Sequence, residues 1–410
     1  MRKTATRVSA ALGIAFSLIV AAVGCQREPL EPIKIGAIYI MSGPWAIHGH
    51  FARDGIELAI EEINADGGVL GRQLEFTIED STGEADVAVQ AASKLVLQDR
   101  VDVLLGIDSN HVAHAMAPAV LELKRPLLIT NAATPDVTGK LCNKYVFRSS
   151  VNMNQNLKAA ALMAKEIGAT RWTTIGPNSA FGQQSWEFFQ KYLEELEPSA
   201  KFMEPAFPKF GAQDFTPFIK KVIAAKPDGV MISLGGGDLV NFVRQANTLG
   251  FFDQKFQVLM TLGAATEVLY ALRKQMPTGL WVGTRYWFLA KDTAINIKFV
   301  EDYKKRFDKY PSYNAQNAYT GVYVYKAAIE KAGSTDADKV VAAMSGLTVT
   351  APIGTFTFRA EDHQATVDGF WGVTQAYLQY PIRMLHPIRV FPSAEITPPP
   401  AETGCKTVST

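Results

Sequence analysis

Apolar residues recur along this chain in two alternating rhythms. Residues 33–40 are a near-continuous apolar run, the pattern of a strand buried on both faces. Ala52, Ile56, Ala59, Ile60 and Ile63 then repeat at helical spacing until Asp66-Gly67-Gly68 stops them. Leu74, Phe76 and Ile78 alternate as the next strand. A helix through Ala88, Ala91 and Leu95 leads to the apolar strand 101–105, and a helix from His111 leads to strand 127–130. After Phe147-Arg148 the rhythm restarts, with helices 157–167, 183–196, 215–225 and 239–249 alternating with strands 172–175, 201–207, 229–233 and 256–261. Helices 295–307, 314–332 and 337–344 precede strands 355–358 and 370–374. Doubly buried strands separated by such helices predict an α/β fold with parallel sheets, in two units of similar size. Ligands of such sheets lie beyond the C-terminal ends of the strands. The segments that matter are therefore 42–50, 106–111, 131–134, 177–181, 235–238 and 262–267.

The N-terminus sets the compartment. Arg2, Lys3 and Arg7 precede an apolar run over 8–23 that is too short to suit a membrane span and has the form of a secretory signal peptide. Ala22-Val23-Gly24-Cys25 resembles a bacterial lipobox, which implies that Cys25 is acylated and heads the mature chain; an ordinary signal peptide with an incidental cysteine is the alternative. Beyond it the chain is too long for one compact core. With 41 Lys and Arg against 40 Asp and Glu, the formal charge of +1 lacks the basic excess of a nucleic-acid binder. With Cys25 assigned, Cys142 and Cys405 are an even pair in an oxidising compartment and are expected to form a disulfide, although spacing leaves two separate thiols open.

Catalytic and metal motifs are sparse. There is no Gly-x-Ser-x-Gly elbow, no HExxH and no CxxC. Gly235 to Gly237 follow a strand and open a helix, yet lack the GxGxxG and Lys-Ser/Thr signatures, so close backbone approach is the better reading. His111 and His114 share a helical face near His48, His50 and Asp108; surface or capping histidines are favoured over a metal site. Neither metal, cofactor nor enzyme activity is expected.

The segments MSGPWAIHG, GIELAIEEINADGGVLGR, PLLITNAATPDVTG, YVFRSS, GAQDFTPFIKKVIAAKPDGV, FVRQANTLGF and GTFTFRAEDHQA resemble, in order, the branched-chain amino-acid-binding family, the type I periplasmic substrate-binding proteins of ABC transporters. That resemblance implies two Rossmann-like lobes linked by three crossovers, near Phe147-Arg148, 281–287 and 355–368. Residues 33–147 plus 285–354 would make lobe 1, and 148–284 plus 355–392 lobe 2. Residues 1–24 would be the signal peptide, 25–32 a lipidated linker and 393–410 a tail. It also implies a lipid-anchored monomer in the periplasm or at the cell surface, which delivers a small molecule to an ABC permease in the cytoplasmic membrane. A two-lobed sensor that reports to a receptor without transport would share the fold.

The family's ligand residues fall here on His48, on Ser109 or Asn110, and on the turn Ala132, Ala133 and Thr134, with Trp45 as a further wall. The second lobe departs from the pattern. Phe181 stands for one tyrosine, Gly235 or Gly236 for another, and Leu262 for the glutamate that meets the ligand's ammonium. A buried ammonium without a carboxylate costs several kcal/mol, so an amino acid would need Asp238, Glu267 or Asp108 instead. Failing that, an aromatic or aliphatic carboxylate or an amide would fit a cleft of Trp45, His48, Phe181 and Tyr286.

Overall fold

A computed structural model describes residues 1, 30–43 and 45–406. The signal-peptide and lipidation readings, Cys25 included, lie outside the described residues.

Two sheets organise the chain. The first is wholly parallel, in the order β2 (Leu74–Asp80), β1 (Ile33–Tyr39), β3 (Val103–Gly106), β4 (Leu127–Ile129) and β5 (Val146–Arg148). Helices α1 (Ala46–Ala65), α2 (Ala85–Leu97) and α3 (Asn110–Leu123) make its crossovers. The chain then enters lobe 2 through α4 (Met153–Ile167), whose start is fixed by a reciprocal capping box between Asn152 and Gln155. The second sheet runs β14, β13, β10, β9, β8, β6, β7. Its parallel part is β6 (Arg171–Ile175), β7 (Lys201–Phe202), β8 (Gly229–Ile232), β9 (Gln257–Met260) and β10 (Trp281–Thr284). Helices α5 (Ala180–Leu196), α6 (Thr216–Ala225), α7 (Gly236–Thr248) and α8 (Thr266–Leu272) connect these strands.

After β10 the chain returns to lobe 1 as α9 (Ala294–Phe307), α10 (Tyr313–Ala332) and α11 (Ala337–Met344). Helix α10 is buried over most of its length because it lies between α1 and the first sheet. The approach of α1 is close: a Cβ on Gly55 would stand 2.2 Å from the carbonyl oxygen of Ala315. A hairpin, β11 (Thr348–Ala351) and β12 (Gly354–Thr357), precedes the last crossing. Strand β13 (Gly369–Gln375) then adds antiparallel to β10, and β14 (Met384–Phe391) antiparallel to β13.

Some elements differ from the sequence expectation. The strand expected over 201–207 ends at Phe202; the Met203-Glu204-Pro205 segment carries an edge strand's proline, which has no N–H for the ladder. Strands β11 and β14 were not foreseen, and β14 contains Pro387, tolerated because it forms the sheet's other edge. The segment read as a tail is packed at its start. There α12 (Ser393–Ile396) lies on α4 with Ile396 fully buried, and a disulfide joins Cys405 to Cys142 in lobe 1.

Buried polar groups mark the crossings. Arg148 ends β5 and is fully buried. It donates to Gln364 Oε1 at 2.8 Å, to Thr138 Oγ1 at 2.6 Å and to the carbonyl of Thr134, so the guanidinium at the first crossing is bonded both to the third crossing and to lobe 1. Burial pulls its pKa down to about 9.

Candidate functional site

The C-terminal ends of the parallel strands in both sheets face one another across a cleft of about 550 Å³. Lobe 1 contributes Trp45 and His48 after β1, Asp108, Ser109 and Asn110 after β3, and Asn131 and Ala133 after β4. Lobe 2 contributes Phe181 after β6, Ser233, Gly235 and Asp238 after β8, and Leu262 after β9. Arg285 follows β10 at the crossing between lobes, and Tyr313 starts α10. Helices α3, α5 and α7 all begin at this cleft, at Ser109, Ser179 and Gly235. None of these three residues caps its helix with its own side chain. Their first N–H groups therefore give the cleft a positive lining.

Trp45, His48, Ser109, Asn110, Phe181, Gly235 and Asp238 are brought together here. Four expected residues are not on the cleft surface. Tyr286 is 2% exposed and turns into lobe 1, where its hydroxyl donates to Asn296 Oδ1 at 2.6 Å and its ring meets Phe299. Neighbouring residues of an extended segment face opposite ways, so it is Arg285 that reaches the cleft. Ala132 is buried beneath the turn. Thr134, also buried, bonds His114 Nε2 at 2.9 Å and accepts from the Asp136 N–H at 3.3 Å, a capping role. Gly236 lies under Trp45 rather than on the open wall.

Trp45 ties the lobes together. Its indole stacks on Phe210 of lobe 2 with centroids 5.4 Å apart and planes 14° from parallel, and it meets His48 edge-on at 5.0 Å. The ring face rests on the start of α7: a Cβ on Gly236 would stand 3.1 Å from Trp45 Cε3, and one on Gly235 3.3 Å from Cη2. Glycine is needed here for close approach, and Gly236 also has φ +49°.

The electrostatics are unusual. Arg285 is 5% exposed and donates from Nη1 to the carbonyl and to Oδ1 of Asn131, the latter at 2.8 Å; its Nε is buried without a partner. The guanidinium lies 5.4 Å from the centroid of Tyr313. Asp108 Oδ2 accepts from the Ile40 N–H at 2.9 Å and Oδ1 from Asn131 Nδ2 at 3.1 Å, and burial pushes its pKa up to about 6. His48 Nε2 is 3.4 Å from Glu267 Oε1 but outside hydrogen-bonding geometry. Burial lowers His48 to about 4 and raises Glu267 to about 7, so at neutral pH this contact is not an ion pair. Glu267 is held by Asn314 Nδ2 at 2.7 Å and does not line the cleft. His114, read with His111 as a remote metal option, is occupied by Thr134 and Asp136.

A cleft between two α/β lobes, walled by strand ends and helix N-termini and crossed three times by the chain, defines a two-lobed ligand-capturing protein. A periplasmic binding protein family model matches residues 32–376, and the chain belongs to that family. A Leu/Ile/Val-binding protein homolog of Brucella melitensis is 25% identical over 83% of this chain and 84% of its own. The leucine-, isoleucine-, valine-, threonine- and alanine-binding protein of Pseudomonas aeruginosa is 26% identical over 83% and 90%. An amino acid ABC transporter substrate-binding protein from Pseudomonas fluorescens Pf-5 superposes with TM-score 0.83 at 26% identity, covering 92% of this chain and all of that one. The protein is thus an extracytoplasmic substrate-binding component of an ABC importer that takes up a small organic solute.

Proposed function

We propose that the protein captures its solute by closing the lobes about the crossings at Arg148, Arg285 and residues 358–368, and presents the closed form to its permease while held to the membrane by acylated Cys25. The observation that carries this reading is the contact of Trp45 in lobe 1 with Phe210 and the start of α7 in lobe 2, at the edge of a cleft walled by both lobes. A solute that touches both walls gains all its contacts only when they meet, so binding shifts the population toward closure. Trp45, His48, Ser109, Asn110, Phe181, Gly235 and Asp238 are assigned to the wall, together with Arg285. Attachment is assigned to Cys25 on the lipobox-like sequence Ala22-Val23-Gly24-Cys25.

A thermal-shift screen of the chain from residue 26 tests this reading against amino acids, amides, carboxylates and sugars. A solute at 100 times its Kd stabilises the native state by about 2.7 kcal/mol, a shift of several degrees. X-ray scattering with the best solute should show contraction. A solute that binds without changing the scattering profile refutes closure. Globomycin-sensitive processing and mass spectrometry of the expressed precursor test the acylation of Cys25.

A further inference from the structure

Arg285 is a buried cation with no carboxylate in direct contact; Asp108 acts on it only through space, from the far side of Asn131. The acceptors it reaches are the two oxygens of Asn131, both neutral, and no carboxylate among the described residues lies within ion-pair distance of it. Guanidinium does not lose its proton inside a protein, so the charge persists and its burial is costly until an anion arrives. Asp108, in the same wall, has both oxygens engaged by Ile40 and Asn131. The face of Tyr313 supports the guanidinium without neutralising it.

Other groups around the cleft repeat the imbalance. Arg285 Nε, Trp45 Nε1 and Asn110 Nδ2 are buried donors with no acceptor, and the hydroxyl of Ser233 is buried and unpartnered. The helix N-termini at Ser109, Ser179 and Gly235 add further N–H donors. An ammonium group finds less: neutral His48 offers no charge, Asp108 has both oxygens engaged, Asp238 holds the Gly211 N–H at 3.0 Å through Oδ2 and keeps only Oδ1, and Glu84 is exposed to solvent. The rest of the wall is apolar, with Trp45, Phe181, Phe210 and Leu262.

We propose that Arg285 is the anion anchor of the cleft, and that the solute is a small monocarboxylate bearing an apolar ring or branched chain and no α-ammonium. This rests on the solute-binding reading above and names its substrate class. The planar fork of Arg285 takes the carboxylate from the inter-lobe crossing, while Trp45 and Phe181 cover the apolar end.

Calorimetric titration of the purified, dialysed protein with matched probes tests it: benzoate, benzamide and phenylalanine on one skeleton, and 3-methylbutanoate, its amide and leucine on the other. The carboxylate of at least one skeleton should bind at least 100-fold more tightly than its amide and its amino acid. Arg285→Met should lose at least 100-fold for that carboxylate and leave the amide unchanged. Arg285→Lys, which keeps the charge without the fork, should fall between them. Circular dichroism and Tm of each variant report folding; if Arg285→Met does not fold, the acid-to-amide ratio of the unaltered protein decides alone. Equal binding of acid and amide, tighter binding of an amino acid than of its deaminated acid, or carboxylate affinity that survives Arg285→Met overturns the proposal. So does binding of none of the carboxylates. Binding confined to sugars or other neutral solutes overturns the anion anchor while leaving the solute-binding reading intact.

Discussion

Replacing Gly236 with alanine separates the stability of the protein from the closure of its cleft. At φ +49° an L side chain costs about 1–2 kcal/mol, whether the lobes are apart or together. In lobes of this size that lowers Tm by roughly 2–8 °C. The second cost arises only on closure. The new Cβ would stand 3.1, 3.3 and 3.4 Å from three atoms of the Trp45 ring, so the indole must lift by a few tenths of an ångström. Lifting weakens its stack on Phe210, an interaction worth about 0.5–1.5 kcal/mol beyond buried area. A loss of about 1 kcal/mol in the closed state raises the Kd of the best solute roughly fivefold. Titration calorimetry reads the affinity and a thermal melt reads the stability. In a Trp45→Ala background the effect on Kd should vanish while the Tm effect persists. A Gly236→Ala protein with lowered Tm and unchanged Kd would falsify the idea that Trp45 rests on α7 in the liganded form.

Other perturbations have equally definite outcomes. Gly55→Ala drives a methyl into the Ala315 carbonyl, a clash neither helix backbone avoids by a rotamer change; it should cost about 3 kcal/mol, read by chemical denaturation. Glu267 has its pKa raised by burial to about 7, so the native state holds its proton more tightly than the unfolded chain does. Stability should therefore fall as pH rises from about 4.5 to 7, by up to about 3 kcal/mol, and level off above; Glu267→Gln should flatten that slope, and an unchanged profile argues against a buried acid there. Arg148→Met leaves buried acceptors in lobe 1 and at the third crossing without their donor and should cost about 3 kcal/mol or more in denaturant titrations. Reducing the Cys142–Cys405 disulfide should cost on the order of 2–5 kcal/mol of stability, with solute affinity retained because neither cysteine lines the cleft.

The parallel sheets were legible because their strands are buried on both faces, which leaves apolar runs such as 33–40 and 101–105 that few other structures produce. The strand-end rule then led from those runs to the segments containing Trp45, Asp108, Ser109, Phe181 and Asp238. Arg285 was not singled out, since an arginine after a strand reads as ordinary surface charge until burial is known. The aromatic beside it, Tyr286, carries the stronger sequence signal for a ligand wall, and a shift of one position exchanges core for cleft. Thr134 shows the other limit. A hydroxyl in a turn has the same sequence signature whether it meets a ligand or caps Asp136, and only its bond to His114 separates the two. Strand β14 was hidden by Pro387, because a strand with a proline gives itself away only when its place at a sheet edge is known.

The bond between Cys142 and Cys405 has a mechanical meaning. It closes a covalent loop spanning 263 positions of sequence, and every strand of the second sheet lies inside that loop. Tension applied between the two chain ends runs from the first sheet through the sulfur bridge and bypasses lobe 2. In an optical trap the oxidised protein should therefore lengthen only by the residues before Cys142 and after Cys405, while lobe 2 stays slack. Adding a reductant should release the remaining contour as a second, longer extension.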